Sequence, residues 1–178
     1  ITVFLNFLQQ LYYNEKETFN KIIEQSGLLN IIYNLIQEGS IQAPLFLLFC
    51  VSSIEDFAIN ISKDKLLLLI IKMKGFQAER LQILTSLSMH AKFCKSTTYM
   101  DEIINLLVSS LSNKSLVSYA ARLIGAFSTH SCGCKILINN GVLEIFTQLY
   151  LSSSSGDTSI SQAIIKNVAR KIKLFKDI

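Results

Sequence analysis

The chain has 178 residues, of which 50% are apolar and 17% charged, with one proline and no tryptophan. This composition excludes an intrinsically disordered chain, a collagen and a loop-rich β-sandwich. The uncharged apolar runs at residues 43–51 and 66–71 are far shorter than the roughly 20 residues that cross a bilayer, so we expect a soluble, all-α domain.

The predicted elements recur in a fixed order along the chain. Short helices at residues 16–25 and 134–140 are each followed by a glycine, Gly27 or Gly141, a residue typical of helix ends. A second predicted helix has four copies, spaced by 37, 35 and 42 residues, at 27–36, 64–73, 99–107 and 141–149. A third predicted helix occupies residues 4–11, 44–51, 80–87 and 120–127, and a fifth copy follows near 165–168.

The third helices are in register with one another. Leu8, Leu48, Leu84 and Ile124 occupy equivalent positions, separated by 40, 36 and 40 residues. A unit of about forty residues cannot bury its apolar face alone, so its copies are expected to stack into one continuous core. We therefore predict a single helical domain over residues 1–178. Its repeats are predicted at 1–14 (partial), 15–54, 55–91, 92–130 and 131–178. Because the chain begins with Ile1 rather than methionine, we expect it to be part of a longer protein.

The order of short helix, glycine, second helix, polar turn and third helix resembles the armadillo repeat family, with HEAT repeats as the near alternative. Residues 25–29 (Gln-Ser-Gly-Leu-Leu), residues 139–143 (Asn-Asn-Gly-Val-Leu) and the third helix at 119–128 carry the resemblance. The resemblance covers nearly the whole chain. It implies a right-handed α-solenoid of about four three-helix repeats. In this family, a groove lined by the third helices binds an extended peptide or a partner protein.

The groove positions do not match those of the family's nuclear-import receptors. Those receptors carry a tryptophan and an asparagine four residues apart on successive third helices, and this sequence has no tryptophan. The resemblance instead implies a polar, nearly neutral groove, whose amides suit contacts with an extended main chain. The residues expected to contact the partner are Asn6, Gln10, Phe46, Gln82, Ser86, Arg122 and Asn167.

The net charge of +4 is distributed in blocks. Residues 63–95 carry seven bases and two acids, and residues 158–178 carry five bases and one acid. Such blocks favour binding to nucleic acid or to an acidic membrane surface as an alternative function. However, the basic coat is not uniform and aromatic side chains are not interleaved with it. The segment 158–178 is also amphipathic, and its register favours a final capping helix over a membrane-binding one. The predicted basic patch comprises Lys72, Lys74, Arg80, Lys92, Lys95, Lys166, Arg170, Lys171 and Lys173.

Histidine and cysteine cluster at two helix junctions. His130, Cys132 and Cys134, with Cys94 or His90, offer four ligands of the kind zinc prefers, but their spacing is not that of a known zinc finger. We therefore expect reduced thiols, no bound metal and no cofactor. No glycine-rich phosphate loop or hydrolase motif is present, so no enzymatic activity is predicted. Residues 152–157 are predicted to form an exposed loop.

Three classes of function remain open from the sequence. The first is a cytoplasmic scaffold, nuclear or cytoskeleton-associated as variants, that binds a protein or peptide through the groove. The second is a structural segment of a large cytoskeletal, centriolar or ciliary scaffold, in which apolar ends self-associate or meet further repeats. Nucleic-acid binding and membrane-surface binding are the less favoured alternatives, and no small-molecule substrate is expected.

Overall fold

The computed structural model describes residues 27–149 in full, the backbone of residues 150–152, and the isolated residues Gln10, Asn14, Glu15, Glu17, Thr18 and Lys21. Residues 27–152 form ten α-helices and contain no β-strand, which confirms the all-α prediction for this part of the chain. None of the helices in this part has both the length and the apolar character needed to cross a membrane. The helices are α1 (Leu28–Gln37), α2 (Gln42–Val51), α3 (Glu55–Ile61), α4 (Lys65–Lys72), α5 (Gln77–Ser88), α6 (Ala91–Ser96), α7 (Met100–Leu111), α8 (Val117–Phe127), α9 (Ser131–Asn139) and α10 (Val142–Ser152).

Local sequence signals account for several helix starts. Gly27 and Gly141 precede α1 and α10 with φ angles of 59° and 65°, a left-handed conformation that glycine adopts without a steric penalty. Asp64 precedes α4, and its side chain accepts a hydrogen bond from the Leu66 amide at 2.7 Å. Pro44 lies in the first turn of α2, where a missing amide hydrogen breaks no helical hydrogen bond.

Helices at every third place along the chain pack against one another. α5 contacts both α2 and α8. In the same way α6 contacts α3 and α9, and α4 contacts α1 and α7, while α7 also contacts α10. The helices α4 to α7 therefore each contact the helix three places before them and the helix three places after them.

The core follows the register expected from the sequence. Leu48, Leu84 and Ile124 are fully buried on α2, α5 and α8, whereas Leu8 lies outside the described residues. The helices α4 and α7 add further buried aliphatic side chains to the same cluster, among them Leu67 and Leu107. Each large aliphatic side chain stabilises the fold by about 1.5–3 kcal/mol when it is fully removed from water.

Arg80 is the exception to the predicted basic patch, because it is not a surface residue. Only 4% of its surface is exposed, and its guanidinium donates hydrogen bonds to the main-chain oxygens of Ile71, Met73 and Gly75 at the end of α4. Burial lowers the pKa of Arg80. The assignment of Arg80 to an accessible basic patch is therefore wrong, since this cation caps α4 from inside the protein.

Candidate partner-binding face

The exposed sides of α2, α5 and α8 carry the groove positions predicted from the sequence. Because these helices pack in a row and are in register, Phe46, Gln82 and Arg122 occupy equivalent positions on successive helices. None of the three is buried, although Gln82 is half-covered. We call this surface the α2–α5–α8 face and define it by Phe46, Phe49, Gln82, Met89 and Arg122.

The first part of this face is apolar. Phe46 and Phe49 lie three residues apart on α2, so their rings are neighbours on the same side of the helix. They are 44% and 45% exposed. Met89, which follows α5, is 50% exposed. The contact residues predicted from the sequence include Phe46 but not Phe49 or Met89, which the structure adds to this part of the face.

The second part of the face is polar. Ser86 is half-buried on α5, beside Gln82 in the helical wheel, and the neighbouring hydroxyl of Thr85 donates to the Leu81 oxygen at 2.6 Å. Arg122 is exposed on α8, and no carboxylate of the described residues forms an ion pair with it. Its guanidinium is therefore available for an acidic group of a partner.

The remaining predicted groove residues are placed only in part. Gln10 is helical and exposed, and the positions of Asn6 and Asn167 lie outside the described residues. The structure accordingly brings Phe46, Gln82, Ser86 and Arg122 onto three helices, of which the central one, α5, contacts both α2 and α8.

Among the members of the predicted basic patch that the structure describes, all but Arg80 are exposed, but they do not lie on one helix. Lys72 and Lys74 are at and beyond the end of α4, whereas Lys92 and Lys95 are on α6. The Lys92 ammonium lies 3.6 Å from a carboxylate oxygen of Glu55 on α3, which offsets part of its charge. Four further predicted members lie outside the described residues: Lys166, Arg170, Lys171 and Lys173.

The histidines and three of the cysteines, Cys94, Cys132 and Cys134, contact main-chain oxygens at helix junctions. His90 Nε2 lies 3.2 Å from the Ser52 oxygen, and His130 Nε2 contacts the Met89 oxygen, each reaching the end of a helix one set earlier. The Cys94 and Cys134 thiols contact the Ser88 and Ser128 oxygens at 3.6 and 3.5 Å. Within the described part of the chain no three potential metal ligands converge.

A depression lies between α4 and α7. It is a shallow, open depression of about 330 Å³. Its lining mixes apolar, amide, hydroxyl and oppositely charged groups: Ile71, Lys72, Glu102, Asn105, Leu106 and Ser109. Because these side chains differ in polarity and charge, the lining does not favour one type of ligand, and the depression is a weaker binding candidate than the α2–α5–α8 face.

Comparison with known proteins gives information on the fold alone. No protein-family model matches the chain, and no curated protein matches it. A crystal structure of an engineered protein from the Northeast Structural Genomics Consortium is similar, with a TM-score of 0.69 over 94% of this chain and 70% of that one. The sequence identity is 19%, so the similarity concerns the arrangement of the helices.

Proposed function

We propose that this chain is a non-enzymatic protein-interaction module, built as a right-handed α-solenoid of armadillo-like three-helix repeats. The proposed module binds a peptide or partner protein through the α2–α5–α8 face. Support for the solenoid comes from the packing of helices at every third place and from the spacing of 36 and 40 residues between Leu48, Leu84 and Ile124.

The observation that carries the binding proposal is the pair of exposed phenylalanine rings on α2. A folded chain gains nothing from leaving two adjacent rings in water, whereas aromatic side chains dominate the energetics of many protein interfaces. Nearly half of each ring surface remains to be covered. At about 25 cal/mol per Å², covering it contributes roughly 2 kcal/mol per ring.

The polar neighbours indicate the chemistry of the partner. Gln82 offers both a donor and an acceptor to an extended main chain. Arg122 offers a two-pronged donor to a carboxylate. A segment with an apolar anchor followed by an acidic residue matches these groups in the order in which α2, α5 and α8 present them.

The test compares variants with matched loss of apolar surface. The partner is first identified by photo-crosslinking in cells from a probe amino acid introduced at Gln82, with a probe at the exposed Gln37 on α1 as the background control. The purified partner is then titrated calorimetrically against the double variant Phe46→Ser/Phe49→Ser. Control variants are Ile31→Ser and Ile138→Ser, whose side chains are 49% and 48% exposed on other helices.

We expect the double variant to weaken binding at least tenfold, because roughly 1.4 kcal/mol corresponds to a tenfold change in Kd. Arg122→Ala is expected to weaken it less and to make the remaining affinity less sensitive to salt. The controls should bind as the unaltered protein does. Equal losses in the double variant and the controls, or no loss in either, would contradict the proposal.

A further inference from the structure

Two thiols meet where α6 packs against α9. Cys132 Sγ on α9 donates to the Ala91 oxygen at 3.7 Å, which places this sulfur at the first turn of α6. Cys94 lies three residues after Ala91 on the same side of α6. Helical side chains point towards the helix start, and Cys94 Sγ does so, contacting the Ser88 oxygen at 3.6 Å. Both sulfurs thus lie at the start of α6, where the two side chains interact directly.

The two thiols differ in accessibility. Cys94 is only 6% exposed, while Cys132 is half-buried and within reach of a small oxidant. Burial and the neighbouring Cys132 thiol raise the pKa of Cys94 to about 12, so Cys94 is a protonated thiol at neutral pH. This arrangement suits an accessible cysteine that is oxidised first and a sheltered cysteine that reacts with it second.

We propose that Cys94 and Cys132 are a redox modification site, at which a hydroperoxide converts the pair into a disulfide that joins α6 to α9. The site is separate from the α2–α5–α8 face and does not depend on the function proposed for that face. Reduction by a dithiol restores both cysteines.

The chemistry balances with one peroxide per disulfide. The Cys132 sulfur, having released its proton to solvent, attacks one peroxide oxygen and breaks the O–O bond. This gives a sulfenic acid and, once the departing oxide takes up a proton, water or an alcohol. The Cys94 sulfur then attacks the sulfenic sulfur, the S–O bond breaks, and the departing hydroxide takes the Cys94 proton and leaves as water. Each cysteine sulfur is oxidised by one electron, and the peroxide accepts both electrons.

The other cysteines are less well placed for this bond. Cys134 lies two residues from Cys132 on α9, so the two side chains point to different sides of the helix. Its thiol contacts the Ser128 oxygen. Cys50 lies on α2, a different row of helices.

The test treats the purified full chain with hydrogen peroxide, then unfolds it and alkylates the remaining thiols. The number of alkylated cysteines, read from the intact mass, should fall from four to two, and treatment with dithiothreitol before alkylation should restore all four. Trypsin should release residues 93–95 linked to residues 123–135. Because the second peptide contains two cysteines, Cys134→Ala is the matched control and should keep the link, whereas Cys132→Ala should lose it. Circular dichroism of each variant before oxidation establishes that it is folded.

The unaltered protein tests the proposal even where a variant does not fold. Peroxide that leaves Cys94 and Cys132 alkylatable would overturn it. So would oxidation of Cys132 to a sulfinic or sulfonic acid without a link, or a disulfide that joins Cys132 to Cys134, to Cys50 or to a second chain. A link that persists in Cys132→Ala would also overturn it.

Discussion

The buried guanidinium of Arg80 allows a sharp test of what holds α4 and α5 together. It binds three main-chain oxygens, one within α4 and two in the turn that follows α4. In that turn Gly75 and Phe76 have φ angles of 78° and 50°. A left-handed phenylalanine costs about 1–3 kcal/mol, so the surrounding contacts must hold this turn in place. Replacing Arg80 should therefore destabilise the junction of α4 and α5.

The size of the effect follows from the surroundings of the three acceptors. Ile71 is buried, so its oxygen loses a donor that water cannot replace, at a cost of about 1–3 kcal/mol. Met73 is half-buried and Gly75 exposed, so water can replace much of what their oxygens lose. Release of the charge from a buried position offsets part of the loss. We expect Arg80→Met to cost about 2 kcal/mol, and Arg80→Ala about 3–4 kcal/mol because it also leaves a cavity.

The assay is urea unfolding followed by far-UV circular dichroism. Arg122→Ala is the control, since it removes an exposed arginine from α8 and should change the free energy of unfolding by less than about 0.5 kcal/mol. Arg80→Lys should fall between the unaltered protein and Arg80→Met, because one ammonium cannot reproduce the planar fork of donors. If Arg80→Met is as stable as the control variant, the three hydrogen bonds do not hold this junction together.

Three further predictions concern stability and use the same unfolding assay. Gly133→Ala should cost several kcal/mol of stability, since an added Cβ would lie 2.0 Å from the Phe127 oxygen. Gly125→Ala should instead stabilise α8 by about 0.5–1 kcal/mol, because nothing lies within 4 Å of an added Cβ there. Equal effects of the two substitutions would contradict this reasoning. Asp64→Ala should cost about 1 kcal/mol by removing the cap of α4, and Asp64→Asn should restore most of it. The free energy of unfolding should fall as pH rises from 9.0 towards about 12, because the Cys94 thiol can ionise in the unfolded chain but stays protonated in the folded protein. Cys94→Ala should lessen this fall by up to about 1.4 kcal/mol per pH unit. The same pH dependence in Cys94→Ala and in the unaltered protein would contradict this prediction.

Apolar periodicity was sufficient to predict the second and third helices of the described repeats and their register, whereas the short helices α3 and α6 were not predicted. The predicted third helices at 44–51, 80–87 and 120–127 fall within α2, α5 and α8. The reason is that burial of a helix requires apolar residues at fixed spacings, and these spacings are directly visible in the sequence. The glycines before α1 and α10 were recognisable for a similar reason, since their backbone conformation excludes most other residues.

The burial of Arg80 was not predicted, because composition alone assigns a cation to the surface. A signal was nevertheless present, since Arg80 is equivalent to Pro44 and Ala120, 36 residues before and 40 residues after it. Both of these equivalents are buried. The position faces inward in all three helices, and Arg80 occupies it by donating to the buried Ile71 oxygen, which would otherwise lack a donor.

The direct contact between Cys94 and Cys132 and the exposure of the Phe49 ring were not predicted for a different reason, although Phe46 was among the predicted contact residues. A contact between Cys94 and Cys132 depends on how α6 packs against α9, and this packing leaves no period in the sequence. Phe49 has the same apolar character as the buried Leu48 beside it, so only the rotation of α2 distinguishes an exposed ring from a buried side chain.

Comparison of equivalent positions on α2, α5 and α8 distinguishes residues that packing requires from residues that packing does not determine. At the position of Leu48, Leu84 and Ile124, which is fully buried in all three sets of helices, the aliphatic residue type is kept. On the α2–α5–α8 face the equivalent positions instead hold an aromatic ring, an amide and a guanidinium, and packing does not account for that variety. A ligand made of identical units would meet three unlike surfaces there. The binding function that we propose for this face therefore predicts a partner whose own sequence varies along its length.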